Sequence, residues 1–377
     1  MLAAVLIGAC SSKTRPDRGA ADATLPASDA ALDVSVPPPP IVDAGAEREE
    51  PRSRPLPAIE RLASALRKAK AHGFVAMTRT DARERTSAPI VASDKLDLDR
   101  PVLVASFTKL MTAVAALRMV KRKEISLDET VADVLPDLAS RPWAKSTLRE
   151  LLQHVSLVPE FDERGGFYRS AEVDFTSPVA VLSKNVPRAW TEKRGTYKYR
   201  NAELALVGAM LEARAKTSAD KVLAKEVFEP AKMTHSGLLV HQKVPDLDLA
   251  PMGPIRPQNF FTAGAGYASA NDLLSFFEAL ENGELLDKEE KDLLFDGAKE
   301  RGYGALGCWS YPFAALDGGT TRVVERPGSF GNVRLFTLFF PEEHRAAVAW
   351  TGDGIDIPRP RTKSDGLGAV LVRLALD

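Results

Sequence analysis

The residues whose types and spacing could do chemistry begin with one lysine in an apolar segment. Lys109 is the only charged residue between positions 101 and 117. Burial of an isolated ammonium group is costly and lowers the pKa of a lysine. Ser106 lies three positions earlier, on the same face of a helix and one turn away. A neutral lysine there could take the proton of the serine hydroxyl and make it a nucleophile.

An ordinary helix start fits the same two residues. Ser106 could cap the helix, and the long stem of Lys109 could carry its ammonium group to solvent. A serine at the amino end of a helix also leaves its backbone N–H free to face an anion. The spacing leaves both interpretations open, and the apolar surroundings make the chemical one as strong as the structural one.

A second polar pair, Tyr199 and Asn201, comes just before the helical run 203–213. A phenol beside an ammonium group ionises more easily and can protonate a leaving nitrogen or oxygen. Alternatively, Asn201 caps the following helix and Tyr199 is a packed aromatic residue. From these residues alone the structural alternative is the stronger.

Other chemistries have little support in the sequence. The 377 residues include 50 basic and 51 acidic side chains without a long basic run, so the charge gives no case for a nucleic-acid partner. The five histidines and two cysteines lack the spacings of metal ligands. The Gly264-Ala265-Gly266 turn does not follow a convincing strand. The segment PGSFG at 327–331 is not the serine elbow of α/β-hydrolases.

The order of several motifs identifies a family resemblance. Ala105-Ser106-Phe107-Thr108-Lys109 is followed by TLRELLQHVSLVP at 147–159, Tyr199-Arg200-Asn201, AGAGYASANDLLSF at 263–276 and YGALGCW at 303–309. Over most of residues 100–375 the chain resembles the penicillin-recognising serine hydrolases. That family includes class C β-lactamases, D-alanyl-D-alanine carboxypeptidases, D-aminopeptidases and related esterases.

The resemblance implies a role for each of these polar residues. Ser106 would be the nucleophile that forms an acyl-serine, and Lys109 and Tyr199 would share the proton transfers. Asn201 would hold the lysine and a substrate amide. The resemblance implies no metal or cofactor.

The family's third motif, usually Lys-Thr-Gly or His-x-Gly, reads Arg326-Pro327-Gly328 in this chain. Arginine keeps the positive charge and could clamp a substrate carboxylate with two hydrogen bonds. Proline is tolerated on an edge strand, and Gly328 leaves room for a close approach. The resemblance further implies that the N–H groups of Ser329 and Ser106 form an oxyanion hole.

These observations predict a serine hydrolase that acts through an acyl-serine on an amide, β-lactam or ester carbonyl. The expected substrate is a small molecule or peptidoglycan peptide, most simply a D-amino-acid peptide or a related envelope compound. Two departures from the family pattern, Arg326-Pro327-Gly328 and Ser156-Leu157-Val158-Pro159, keep an alternative open. In it, the protein is catalytically weak and binds peptidoglycan peptides or a partner through the same groove.

The elements that must position these residues follow from the apolar periodicity. It predicts helices at 59–66, 106–120, 270–280 and 366–376, and strands at 74–77, 89–92, 306–311, 321–326, 333–340 and 346–351. The expected fold class is α/β of the α+β type, β-lactamase/transpeptidase-like. Its mostly antiparallel sheet is flanked by helices and joins both ends of a domain at 56–377. An all-helical subdomain at about 127–262 is inserted.

The amino-terminal segment differs in composition from the rest of the chain. Residues 1–10, MLAAVLIGAC, resemble a bacterial lipoprotein signal that is cut before Cys10, the lipidated residue. No basic residue precedes the apolar run, so a plain Ala-rich leader is the alternative. Residues 11–55 contain 8 of the 26 prolines and too little apolar surface to fold. They predict a disordered tether.

The predicted tether and lipid group define the expected location and partners. A lipid anchor at Cys10 would hold the domain on a membrane of the bacterial cell envelope, facing the periplasm or the exterior. The sequence contains no run of about 20 apolar residues, so we expect no membrane-spanning helix in the mature protein. We expect a monomer whose partners are its substrate and the membrane.

Overall fold

The computed structural model describes most of the chain between residues 97 and 354. The described residues are 70, 72–81, 84–87, 91–92, 97–161, 167–168, 177–184, 193–239, 247, 255–314 and 319–354. The predicted signal with Cys10, the tether, and the predicted helices at 59–66 and 366–376 lie outside these ranges. Within the described ranges no helix has both the length and the apolar character to cross a membrane.

Antiparallel strands form two sheets in the described part of the chain. In chain order they are β1 (Gly73–Asp81), β2 (Glu84–Ser87), β3 (Val91–Ala92), β4 (Val102–Leu103), β5 (Gly237–Leu238), β6 (Gly266–Ala268), β7 (Trp309–Ala314), β8 (Thr320–Glu325), β9 (Gly328–Phe330), β10 (Val333–Phe340) and β11 (Arg345–Thr351). The larger sheet has the order β2-β1-β11-β10-β8-β7, with β3 beside β1 and β9 beside β10. The smaller sheet has the order β4-β6-β5.

The centre of the larger sheet joins the two ends of the domain, as the sequence predicts. Strand β1 pairs with β11 in a register that runs from Gly73 opposite Thr351 to Arg79 opposite Arg345. The apolar runs of β10 and β11 are buried along nearly their whole length, because both faces of the sheet are covered. The Phe74 and Trp350 rings stack across the β1–β11 pair with centroids 5.8 Å apart.

Helices cover the sheet and fill the middle of the chain. They are α1 (Thr108–Lys121), α2 (Val131–Val134), α3 (Leu148–Leu152), α4 (Pro178–Lys184), α5 (Asn201–Ala215), α6 (Ala219–Leu223), α7 (Ala270–Glu281) and α8 (Lys288–Leu294). The predicted helices at 106–120 and 270–280 correspond to α1 with its preceding turn and to α7. Apart from β5, the described elements between residues 127 and 262 are helical.

The helix starts differ in how their backbone N–H groups are satisfied. Thr130, Thr147 and Asp287 cap α2, α3 and α8 with reciprocal capping boxes, which the acidic residue three positions later completes. At α5 the cap residue is Arg200, whose side chain makes no capping bond. The first N–H groups of α5 therefore need acceptors from elsewhere in the chain.

The predicted strand at 306–311 begins later than expected, at Trp309. Gly307 has a φ of 71°, a left-handed conformation that interrupts an extended strand. A Cβ at this position would lie 2.6 Å from the carbonyl oxygen of Lys109. The glycine turn thus lets the segment before β7 pack directly against α1.

Candidate active site

Ser106 lies in a tight turn immediately before α1. The turn spans Ala105–Phe107, and Ala105 has a φ of 46°, a strained conformation for a residue with a side chain. Thr108 fixes the turn, because its hydroxyl donates to the Ala105 carbonyl at 2.6 Å and accepts from Gly266 N–H at 2.9 Å. The strain at Ala105 is thereby balanced by hydrogen bonds that hold Ser106 in place.

Lys109 is fully buried and is bound to three uncharged groups. Its Nζ lies 3.2 Å from Ser106 Oγ, 2.7 Å from Asn201 Oδ1 and 2.7 Å from the carbonyl oxygen of Ala263. Burial lowers the pKa of Lys109 well below its usual value, and the Arg326 charge lowers it further. Lys109 therefore loses its proton more readily than an exposed lysine does.

The three contacts define the direction of the lysine's hydrogen bonds if the amine is neutral. A neutral amine has two N–H donors and one lone pair. The oxygens of Asn201 and Ala263 can only accept, so they take the two N–H groups. The lone pair then faces Ser106, whose hydroxyl can donate to it. This is the arrangement that a general base needs before it removes the serine proton.

Tyr199 contacts the same serine oxygen from another side. Its hydroxyl donates to Ser106 Oγ at 2.8 Å and accepts from Arg326 Nη2 at 2.6 Å. Its ring lies between Trp309, stacked at 6.2 Å, and His154, at 4.7 Å. Burial raises the pKa of Tyr199, although Arg326 and the bond to Ser106 act in the opposite direction. The phenol therefore remains protonated in the resting site.

Arg326 lies inside the site, with 1% of its surface exposed. Its Nε donates to the Ser106 carbonyl at 2.9 Å, and its Nη2 donates to Tyr199. Its guanidinium carbon lies 5.1 Å from the centroids of both the Tyr199 and Trp309 rings. The sequence predicts a clamp for a substrate carboxylate here. In the structure two of its hydrogen bonds are directed at Ser106 and Tyr199.

The Arg326-Pro327 pair lies in the break between β8 and β9. Strand β8 ends at Glu325 and β9 begins at Gly328, so the missing N–H of Pro327 removes no hydrogen bond from within either strand. A Cβ at Gly328 would clash with the carbonyl oxygen of Val104 and lie 3.1 Å from Ser106 N. Strand β9 thus runs beside the nucleophile, and Ser329 is the next residue along it.

Glu160 holds the start of α5 and is not among the residues predicted from the sequence. Its carboxylate accepts the N–H groups of Asn201 at 2.7 Å and Ala202 at 3.2 Å. It also accepts the hydroxyl of Tyr168 at 2.5 Å. Glu160 supplies the acceptor that Arg200 does not, and it fixes the asparagine that binds Lys109. Arginine is not a capping residue, so Arg200 before this helix is the sequence signal that could have indicated an acceptor such as Glu160 from elsewhere in the chain.

A buried polar cluster lies behind Tyr199. His154 Nδ1 is 2.6 Å from Glu203 Oε2, and the Ser156 hydroxyl donates to Glu203 Oε1 at 2.5 Å. Arg200 Nη1 donates to the Ser156 carbonyl at 3.3 Å. Burial raises the pKa of Glu203 and lowers that of His154. The cluster thus holds Arg200, the middle residue of the Tyr-x-Asn motif, and its His154 ring packs on Tyr199.

The structure thus brings five predicted residues into one connected group: Ser106, Lys109, Tyr199, Asn201 and Arg326. Gly328 and Ser329 lie on the strand beside them. The hydrogen bonds run in one direction from Arg326 through Tyr199 to Ser106. A neutral Lys109 then extends the chain to Asn201 and Ala263. Such a chain aims the serine oxygen and keeps a base within reach of its proton.

Comparison with known proteins gives a family match over most of the chain. A family model described as Beta-lactamase matches residues 59–359. The chain is 27% identical over 177 residues to monacolin J acid methylbutanoyltransferase of Aspergillus terreus, over 40% of this chain and 41% of that protein. The chain therefore spans well under half the length of this curated relative.

Solved structures share the fold. The D-amino acid amidase of Ochrobactrum anthropi SV3 aligns with a TM-score of 0.67 at 19% identity, over 84% of this chain and 98% of that one. The penicillin-binding protein of Bacillus halodurans aligns with a TM-score of 0.64 at 19% identity, over 77% and 94% of the two chains. At these identities the likeness concerns the fold.

Proposed function

The chain belongs to the beta-lactamase family of hydrolases and acyltransferases, and from this premise we propose that it is a serine enzyme that forms an acyl-serine intermediate at Ser106. One observation carries the proposal. Two proton-transfer groups, Lys109 Nζ and Tyr199 Oη, lie 3.2 Å and 2.8 Å from the same serine oxygen. Both lie in a buried site where burial lowers the pKa of the lysine.

In the acylation step, the Ser106 hydroxyl proton moves to the lone pair of Lys109 as the oxygen attacks the substrate carbonyl carbon. The carbonyl oxygen becomes an oxyanion, which the N–H groups of Ser106 and Ser329 stabilise. When the bond to the leaving group breaks, Tyr199 donates its proton to the leaving atom and recovers one from the Lys109 ammonium. The products are an acyl-serine, a neutral leaving group and a neutral lysine.

In the second step, an acceptor with an O–H or N–H group releases the acyl chain. The acceptor's proton passes to Lys109 and returns to Ser106. Water as the acceptor gives hydrolysis, and an alcohol or amine gives acyl transfer. Likeness to a D-amino acid amidase supports amide substrates, and likeness to a methylbutanoyltransferase supports an ester or acyl-transfer reaction.

A covalent-labelling experiment tests the proposal. The protein is incubated with a fluorophosphonate or with a penicillin, and its intact mass and peptides are measured. We expect an adduct on Ser106 that is absent from Ser106→Ala and present in Ser146→Ala, a matched change at another buried serine. Absence of an adduct with every probe would refute the enzyme and leave the catalytically weak binding protein.

Parallel assays on three substrates separate the classes that the family includes. A chromogenic cephalosporin, a nitrophenyl ester and a D-Ala-D-Ala peptide present the three carbonyl types. Turnover that requires Ser106 identifies the class. A peptide or cephalosporin preference would support an envelope substrate, and turnover of the ester alone would refute it.

We also propose that the domain is anchored to the bacterial envelope through Cys10. The proposal rests on the sequence MLAAVLIGAC and on the Pro-rich segment that follows it. Labelling with an alkyne fatty acid in a bacterial host tests it, with Cys10→Ala as the control. Label that persists in Cys10→Ala, or none in the parent protein, would refute the anchor.

A further inference from the structure

We propose that the substrate carries an apolar group, a hydrocarbon chain or an aromatic ring, which packs on a wall of aromatic side chains beside Ser106. This inference rests on the proposed acyl-serine chemistry and names the substrate class of the same site. The aromatic wall consists of Phe161, Phe167, Tyr168, Phe260 and Phe330.

The five rings of the aromatic wall are in continuous contact. Phe161 and Phe167 are 4.9 Å apart, and Phe167 meets Tyr168 edge-on at 5.3 Å. Tyr168 stacks on Phe260 at 4.2 Å, and Phe260 stacks on Phe330 at 5.3 Å. Phe161, Tyr168 and Phe330 are buried, whereas Phe167 and Phe260 are only partly buried, so these two rings give the wall its accessible apolar surface.

Strand β9 places one end of the aromatic wall at the nucleophile. Gly328 and Phe330 are two residues apart on β9, so their side-chain positions lie on the same face of the strand. That face meets Ser106 at Gly328, where a Cβ would be 3.1 Å from Ser106 N. Phe330 is therefore on the nucleophile's side of β9, about 7 Å further along the strand.

The segment that binds Lys109 places Phe260 at the same location. Phe260 lies in the turn Pro257–Ala263, whose last residue accepts a hydrogen bond from Lys109 Nζ at 2.7 Å. The backbone reverses at Phe261, which has a φ of 48°. Phe261 is buried against Gly208 of α5, whereas Phe260 stacks between Tyr168 and Phe330. The segment that binds Lys109 and the strand beside Ser106 thus each carry a ring of the wall.

The charges around the aromatic wall favour a neutral substrate group over an anionic one. The Tyr168 hydroxyl, the one polar group of the five rings, is already bound to Glu160 at 2.5 Å. The Glu160 carboxylate borders the wall and would repel a second anion. The nearest catalytic cation, Arg326, is directed at Tyr199 and Ser106. A carboxylate on the wall would lose hydration, and the five described rings offer it no hydrogen-bond donor besides the Tyr168 hydroxyl, which is already bound.

A series of p-nitrophenyl esters tests the inference with a single leaving group. The acetate, butanoate, hexanoate and octanoate vary the apolar chain, and the mono-glutarate ester adds a terminal carboxylate. Values of kcat/KM are divided by the rate of spontaneous hydrolysis of each ester. We expect a rise of about 2-fold to 4-fold per methylene that reaches the wall, and the glutarate well below the hexanoate.

Variants show whether the aromatic wall is the cause. Phe260→Ala should flatten the chain-length dependence to below about 1.5-fold per methylene, measured between esters within the variant and so independent of its overall activity. Phe313→Ala removes a partly buried aromatic side chain on the far edge strand β7 and should leave the dependence intact. If Phe260→Ala does not fold, Phe260→Leu should give an intermediate slope.

The outcomes distinguish this inference from the proposed function. A flat series with Ser106-dependent turnover of the acetate would overturn the inference and leave the acyl-serine mechanism intact. An unchanged slope in Phe260→Ala, or a glutarate ester that reacts as fast as the hexanoate, would also overturn it. Absence of Ser106-dependent turnover and labelling would overturn the mechanism itself.

Discussion

Removal of the Arg326 charge should shift the pH dependence of the reaction upward. In Arg326→Met the guanidinium group no longer repels a proton on Lys109, so the pKa of the lysine rises. In the proposed mechanism the neutral amine is the base, so kcat/KM should fall with decreasing pH through that pKa. The acid limb of the pH profile should then lie at higher pH than in the parent protein.

The geometry sets the size of this shift. Lys109 Nζ and Arg326 Cζ lie 4.8 Å and 5.1 Å from the centroid of the Tyr199 ring, so the two charges are no more than about 10 Å apart. At an effective dielectric constant of about 20, two unit charges at about 10 Å repel by roughly 1.7 kcal/mol. That repulsion corresponds to about one pH unit or somewhat more.

The assay is the pH profile of kcat/KM with one neutral ester and one carboxylate-bearing ester. Arg326→Lys keeps the charge but cannot reproduce both directed hydrogen bonds, so its activity should fall while the acid limb moves little. Arg322→Met, at an exposed position of β8, is the matched control and should leave the profile unchanged.

Two results would refute this reasoning. An acid limb that stays in place in Arg326→Met would remove the electrostatic role. A rise in KM confined to the carboxylate-bearing ester would restore the substrate clamp that the sequence suggests, because a buried arginine directed at Tyr199 should affect both esters alike.

Three further predictions concern the supports of the site. Glu160→Gln should weaken the hold on Asn201 and lower kcat/KM about 10-fold to 100-fold. It should also move the acid limb of the pH profile to lower pH, because Glu160 raises the pKa of Lys109. A move to higher pH would contradict the prediction, as would a similar loss in Glu129→Gln, which removes a carboxylate paired with Arg214. Gly328→Ala should destabilise the fold by about 1–3 kcal/mol in urea unfolding, because the added Cβ meets the Val104 carbonyl, and should abolish labelling of Ser106; normal labelling would contradict the close approach. Burial raises the pKa of Glu203, so the stability that this residue contributes is greatest below its unfolded-state pKa and is lost as the pH rises through its folded-state pKa. Glu203→Gln should therefore raise Tm more at pH 8 than at pH 5, and an equal change at both pH values would contradict the prediction.

The sequence predicts roles for Ser106 and Lys109 because their signal is local. A single charge within an apolar helix is visible without a fold, and the structure shows Lys109 fully buried beside Ser106. Tyr199 and Asn201 carry a weaker signal, because a tyrosine and an asparagine before a helix are common. Only the family order of motifs indicates chemistry for them.

Residues whose contacts are with distant parts of the sequence are harder to predict. Glu160 caps a helix that begins 41 residues later, and capping rules consider only immediate neighbours. The position of Arg326 in the sequence follows from the family pattern. The orientation of its side chain depends on how deeply the β8–β9 break buries it, which the sequence does not show. Strand β7 starts late because Gly307 turns toward α1, a contact that periodicity does not encode.

The one-way chain of hydrogen bonds has a consequence for leaving groups. In the proposed tetrahedral intermediate the proton of Ser106 is on Lys109, so the buried site holds two positive charges, one on the lysine and one on Arg326. Their repulsion drives the proton outward, toward any departing atom basic enough to accept it. A departing amine or alkoxide is basic enough to take up the excess proton and carry it away. A departing nitrophenolate is weakly basic and leaves the proton on the lysine. The site is thus built for poor leaving groups, and activated esters use only part of its driving force.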